Sequence, residues 1–400
     1  MSVHDDAAAI AGELAGLRRR IHREPEIGLD LPRTQEKVLA ALDGLPLELT
    51  VGRALSSVTA VLRGGRPGPA VLLRGDMDAL PITERTGLDY ASAVTGVMHA
   101  CGHDLHTAML VGAARILSAR QDTLPGKVIF MFQPGEEGYA GARHMIREGV
   151  LGAAGERPAA AYALHVASAQ FGPGLFATRP GSMMAAADVL DVTVRGHGGH
   201  ASEPHLSSDP IPAACEMVTA LQTMVTRRFD VFDPVVITVG SFHAGTADNI
   251  IPDEAHFLAT VRSFSTAARD RVRAGSLRLV ADIATAHGVR ASADYLDEYP
   301  VTVNDAGEAA FAGQTTADLF GSGRLLAQPH PLPGAEDFSF ILEQVPGAFV
   351  MLGAGPAGTD PATAPYNHAA DAVFDDSVLA DGATLLAELA LRRLALPAAA

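Results

Sequence analysis

The sequence predicts an α/β protein: a mostly parallel sheet covered by helices, with a smaller α+β domain inserted into it. Three observations carry that expectation. Short apolar runs, AVLLRGD (70–76), KVIFMFQ (127–133) and AAYALHV (160–166), alternate with longer stretches that are apolar at helical spacing. From about residue 185 the texture changes to strands in which apolar and polar residues alternate. Near residue 299, at YPVTVND, the first texture returns and continues to the end of the chain. At roughly 150 residues per domain, 400 residues suit two or three domains. The expected division is a first domain in two parts, 1–185 and 299–400, with an inserted domain over 186–298.

The three apolar runs are short and continuous, which suits strands buried on both faces. Between the first two lies HTAMLVGAARILSA (106–119), a helical pattern, and strand–helix–strand repetition places strands parallel. Each strand carries ionisable residues at or beyond its end. Sites in open α/β sheets form at the carboxyl ends of strands, so Asp76, Asp78, Glu136, Glu137 and His165 can gather along one edge. In the insert, DVLDVTVRG (188–196), PVVITVGSF (234–242), AHFLATVRSF (255–264) and VRASADYL (289–296) read as half-exposed strands. Helices are expected over 211–228 and roughly 266–287. That order, β-α-β-β-α-β, predicts a ferredoxin-like four-stranded sheet with two helices on one face.

Charge and composition narrow the function. With 46 acidic and 30 basic residues the formal charge is −16, which repels polyanions and argues against a nucleic-acid partner. No apolar run reaches the ~18 residues of a membrane span, and the start has no signal-peptide pattern. Two cysteines, Cys101 and Cys215, make no disulfide framework. A cytoplasmic protein without a membrane partner is expected.

Five pieces carry candidate chemistry. In HACGHDLHT (99–107) a thiol and an imidazole stand two apart, good ligands for zinc-like ions, although a buried free cysteine beside a helix start reads equally simply. GDMDALP (75–81) sets two acids two positions apart at a strand end, or forms a polar turn before Pro81. QPGEEG (133–138) places adjacent glutamates at a turn, where one can bind metal while the other faces water, or where both are solvated. His165 closes an apolar strand, and His368 stands in YNHAADAVFDD; each alone reads as an ordinary core or loop histidine.

Together the words RGDMDALPI, MHACGHDLHTAML, QPGEEG, ALHV, GGHAS, GTADNIIPDEA and GAEDFS, after LRRRIHREPEIG (17–28), carry a resemblance over nearly the whole chain. They resemble the aminoacylase/carboxypeptidase family of dinuclear metallopeptidases, peptidase family M20. Within it they resemble the N-acyl-amino-acid amidohydrolases, the branch with hippurate and auxin-conjugate hydrolases. The resemblance implies two divalent ions held by Cys101, His103, Glu137, His165 and His368, with the Cys101 thiolate between or beside them. Zinc or manganese suits that donor set, and cobalt or nickel is admitted. It implies Glu136 as general base, Asp78 as an acid orienting a ligand, and His200 as a donor to the developing oxyanion of a neighbouring subunit's site. Asn249 and Arg262 become candidate donors to the substrate's α-carboxylate, although Asn249 also suits a turn and Arg262 an edge strand. His197, His205 and His243 receive no role.

The implied activity is metal-dependent hydrolysis of N-acyl-L-amino acids by a homodimer or dimer of dimers assembled through the inserted domain. A dipeptidase or carboxypeptidase of the same family, or an inactive binder of metal or conjugate, is the alternative. The sequence departs from the family's pattern in reading His368-Ala-Ala-Asp where Pro and Arg often follow, and in Asp248 where an apolar residue is common. Asp76 occupies a position where related branches carry a histidine ligand, which leaves its role open. Met183, Met184 and Leu332 suit an acyl pocket or the core alike.

Overall fold

The computed structural model describes residues 2–396. Two compact units divide the chain. One comprises the residues up to Met183, Val303–His330 and the chain from Asp337; the other comprises Met184–Thr302 and the short segment Pro331–Glu336.

The first unit opens with α1 (Val3–Arg23) and α2 (Pro32–Leu42), then β1 (Leu47–Val51), β2 (Val58–Arg63) and β3 (Arg66–Asp76). It continues through α3 (His103–Ser118), β4 (Pro125–Gln133), α4 (Gly141–Arg147), β5 (Ala160–Ala167), β6 (Phe176–Thr178) and, on leaving the unit, β7 (Gly181–Met184). The second unit contains β8 (Ala186–Arg195), β9 (Gly199–His200), α5 (Pro210–Arg228), β10 (Val235–Ala244), β11 (Ile250–Ile251), β12 (Glu254–Ser263), α6 (Thr266–Ala286) and β13 (Arg290–Tyr299). The chain returns through β14 (Thr302–Asn304) to α7 (Ala306–Phe320), β15 (Leu325–Ala327), α8 (Ser339–Leu342), β16 (Gly347–Gly353) and α9 (Leu379–Ala395).

The sheet of the first unit has eight strands in the order β1-β2-β4-β3-β5-β16-β6-β15. Its centre, β4-β3-β5-β16, is parallel throughout. These strands are buried along most of their length, which is why they read as unbroken apolar runs. Parallel register aligns their carboxyl ends: Asp76 lies opposite Gln133, and His165 opposite Met351. Helices α1, α3 and α9 pack on one another and share a core with the sheet that includes Leu14, Met109, Leu110, Phe130 and Leu386.

Helix α3 begins at His103, three residues before the sequence pattern suggests. The cause is Gly102, which holds the N-cap at φ +81. A side chain there meets both a conformational and a steric barrier, since a Cβ would lie 2.3 Å from Val166 Cγ2. The early start puts His103 in the first helical turn and Cys101 directly before it. Almost every residue of α3 is buried, so the helix cannot rotate without exposing apolar surface.

The second unit is an antiparallel sheet in the order β10-β12-β8-β13. Numbered along the chain, its four strands stand 2-3-1-4. Leu190, Val192, Val194, Phe257 and Val261 form one cluster with Met217 of α5 and Val272 and Val280 of α6, which places both helices on one face. A separate two-stranded ribbon pairs β9 with β11, His200 lying opposite Ile250. Among the described residues no helix is long and apolar enough to cross a membrane.

Candidate metal centre

The carboxyl ends of β3, β4 and β5 supply most of the site. Two residues beyond β3, Asp78 is 1% exposed, and its two carboxylate oxygens accept the backbone N–H groups of Glu136 at 2.9 Å and Glu137 at 3.0 Å. One buried acid thereby fixes the backbone of both glutamates. The same Asp78 lies 3.5 Å from His103 Nδ1.

Around this frame the candidate ligands converge. Cys101, His103 and His165 have ligand atoms within 4.8 Å of one another, and so do Cys101, Glu137 and His368. The Cys101 sulfur belongs to both sets. It lies 3.5 Å from His165 Nε2 and 3.3 Å from His368 Nε2, and His368 Nε2 lies 3.2 Å from Glu137 Oε1. Glu136 joins His103 and Glu137 in a further set, and its Oε1 accepts the Asp337 backbone N–H at 3.3 Å.

The donors suit cations. His165 Nδ1–H donates to the Val166 carbonyl at 2.8 Å, which leaves Nε2 with its lone pair facing the cysteine. Burial, with His106 and His103 adjacent, holds His165 well below the usual histidine range, so its ring is neutral. Neither ring nitrogen of His103 makes a well-aligned hydrogen bond; its nearest carboxylate oxygens stand at 3.5, 3.6 and 3.9 Å, on Asp78, Asp76 and Glu137. Burial pushes His103 down, yet Asp76, Asp78 and Cys101 outweigh it and hold the ring well above its usual value. Hydrogen bonds to Cys101 and Glu137 push the half-exposed His368 up to about 10. One cysteine sulfur, three imidazoles and a carboxylate, with their ligand atoms this close together, make a donor set well suited to divalent ions.

Sequence reasoning passed over several participants. His106 uses both ring nitrogens: Nδ1–H donates to Asp76 Oδ1 at 2.6 Å, and Nε2 accepts the Val166 backbone N–H at 2.8 Å. It is therefore a neutral strut between β3 and β5, with no lone pair left to coordinate. Asp76 is explained with it. The carboxylate also pairs with Arg74 at 2.6 Å, and although burial pushes it up, Arg74 and the histidines hold it well below the usual carboxylate range. Arg74 in turn reaches Asp337 at 2.9 Å and Gln133 at 2.9 Å. Arg74 and Gln133 show in the sequence only as polar residues in otherwise apolar strand runs.

His200, Asn249 and Arg262 belong to the second unit and not to this cluster. His200 is exposed. Its Nδ1 accepts the Ser202 backbone N–H at 3.2 Å, so the proton resides on Nε2 and that nitrogen is a free-standing donor. The Asn249 carbonyl accepts the Ala201 N–H at 3.1 Å and so braces the same turn. Arg262 lies on β12 between the helix-facing Val261 and Ser263 and donates to the Val261 carbonyl at 3.2 Å.

The family model described as peptidase family M20/M25/M40 matches residues 72–392. Thermostable carboxypeptidase 1 of Saccharolobus solfataricus is 35% identical over 97% of each chain. Hippurate hydrolase of Campylobacter jejuni is 34% identical over 98% of this chain and 100% of its own. Among solved structures, a dinuclear metal binding peptidase of the M20 family from Bacillus subtilis superposes with a TM-score of 0.82 at 32% identity, covering 97% of this chain and 99% of that one.

Proposed function

Because the chain belongs to peptidase family M20/M25/M40 and is accordingly a metal-dependent amidohydrolase, we propose that it hydrolyses the amide of N-acyl-L-amino acids to a carboxylate and a free amino acid. The observation that carries this reading is the pair of ligand sets sharing the Cys101 sulfur, with Glu136 beside them. Cys101, His103, Glu137, His165 and His368 would hold two divalent ions, zinc or manganese by donor type with cobalt or nickel also accommodated. Such ions, when bound, supply Lewis acidity: they polarise the scissile carbonyl and acidify water to a pKa near ~7.

The chain's own groups do the rest. Glu136, oriented through its backbone by Asp78 and through Oε1 by the Asp337 N–H, takes a proton from the attacking water. It returns that proton to the leaving nitrogen, without which the amine departs poorly. His200 Nε2–H is a donor suited to an oxyanion in a partner subunit's site, which requires a homodimer. Arg262, with its two-pronged fork, and Asn249 would bind the α-carboxylate of the amino acid. A cytoplasmic setting suits a reduced Cys101.

Glu136→Gln tests the reading. The amide cannot accept a proton, so turnover is expected to fall at least a hundredfold while two equivalents of metal stay bound. Near-normal rates in that variant would refute the assignment of the base. The 35% identity to a carboxypeptidase favours a second reading, cleavage of peptides. Comparing kcat/KM on N-acetyl and N-benzoyl amino acids with that on dipeptides decides between them; a preference for dipeptides would overturn the first.

A further inference from the structure

Beside His368 stands a residue that the proposed mechanism does not use. Asn367 Oδ1 accepts the Ser168 backbone N–H at 2.9 Å and the Ser168 hydroxyl at 3.1 Å. A backbone N–H can only donate, so the orientation of the carboxamide is forced and Nδ2 faces the other way. There Nδ2–H donates to the Val166 carbonyl at 3.0 Å. Its second proton lies toward Cys101, with the carbonyl at 3.4 Å and the sulfur at 3.7 Å. The Val166 carbonyl is the same one that accepts His165 Nδ1–H. One carboxamide therefore joins the cysteine, the end of β5 and the loop that presents His368. That loop is unusual in its own right, because His368 has a left-handed backbone at φ +72, held by its N–H donating to the Ala100 carbonyl at 2.8 Å. Such a conformation persists only where neighbours over-determine it.

We propose that Asn367 is a positioning residue of the metal centre: it locks Cys101 and His368 in mutual register and aims an N–H at the sulfur that two cations would share. The inference rests on reading Cys101 as a shared ligand. Its chemical consequence is that the N–H draws electron density from the thiolate and tempers its strength as a donor.

Cobalt(II) supplies readouts independent of turnover: affinity, by competition with a chromophoric chelator, and the near-ultraviolet thiolate-to-cobalt charge-transfer band. Asn367→Ala is expected to weaken cobalt binding roughly 10- to 100-fold and to move the band to lower energy. Asn367→Asp keeps the size and the Ser168 contacts but sets an acceptor against two carbonyls and the sulfur, so its affinity should be lower still. Asn367→Gln restores an N–H donor and should recover part of the loss, and Asn367→Asp serves in place of the alanine variant if that chain does not fold. Wild-type affinity with an unmoved band in both Asn367→Ala and Asn367→Asp overturns the proposal. Absence of the band from cobalt-loaded wild type is a separate result, which overturns the ligand reading on which the proposal stands.

Discussion

Replacing Asp78 by asparagine probes the frame beneath the site with the smallest possible change of shape. The carboxylate has two acceptor oxygens and serves two backbone N–H groups, those of Glu136 and Glu137. A carboxamide has one acceptor, so its NH₂ must face one of those N–H groups. One charge-assisted hydrogen bond is lost, at about 1.5–3 kcal/mol, and one buried donor is stranded, at about 1–3 kcal/mol. Relief of repulsion among neighbouring carboxylates returns part of this, leaving an expected loss of about 3–4 kcal/mol. Urea unfolding of the metal-free protein, followed through the transition of the first unit, measures it, and an unchanged m-value shows that the loss is one of stability. Turnover should fall as well, because a shift of about 1 Å in catalytic groups costs on the order of a hundredfold. A variant within about 0.5 kcal/mol of wild type, with wild-type kcat, would show that the Glu136–Glu137 turn holds its shape without Asp78, and the reasoning would fail.

Three further outcomes are expected. Gly102→Ala forces a Cβ against Val166 at a left-handed backbone position, so it should destabilise by about 2–5 kcal/mol and lower metal affinity; thermal unfolding within about 1 kcal/mol of wild type would count against the cap argument. Burial pushes His22 down, but Asp104 at 2.8 Å and Glu84 at 3.2 Å outweigh it and raise its pKa. Its stabilisation is therefore complete below the unfolded value of 6.5 and is lost as pH rises through the higher folded value; the stability gap between wild type and His22→Gln should shrink as pH climbs above 6.5, and a constant gap would contradict this. Mixing inactive Glu136→Gln with inactive His200→Ala should restore activity as subunits exchange; no recovery after demonstrated exchange removes the trans role of His200.

How much of the site could be read in advance depended on the kind of residue. Cys101, His103, Glu137, His165 and His368 were legible as ligands only through the family resemblance that the words around them carry; alone, each reads as an ordinary core, turn or loop residue. His106 and Asp76 stand in the same words, and nothing local separates a histidine that coordinates from one that braces. The distinction lies in the Val166 N–H, sixty positions away, which occupies His106 Nε2. Asn367 went unread for the same reason: an asparagine in a loop is ordinary until Ser168, Val166 and Cys101 surround it. The start of α3 was misplaced because periodicity cannot see Gly102, whose necessity comes from the Val166 side chain.

The sequence by itself determined which segments are buried strands and helices, that sites would collect at the carboxyl ends of β3, β4 and β5, and which family the chain resembles. These properties are legible because periodicity, turn residues and the chemistry of each side chain are local. Only the tertiary structure decided that the Cys101 sulfur is common to both ligand sets, which imidazole nitrogen carries each proton, and that Asp78 spends both oxygens on the backbone of the two glutamates. Those outcomes depend on which donor meets which acceptor across tens to hundreds of residues, and a buried polar atom's role is defined by the partner that satisfies it.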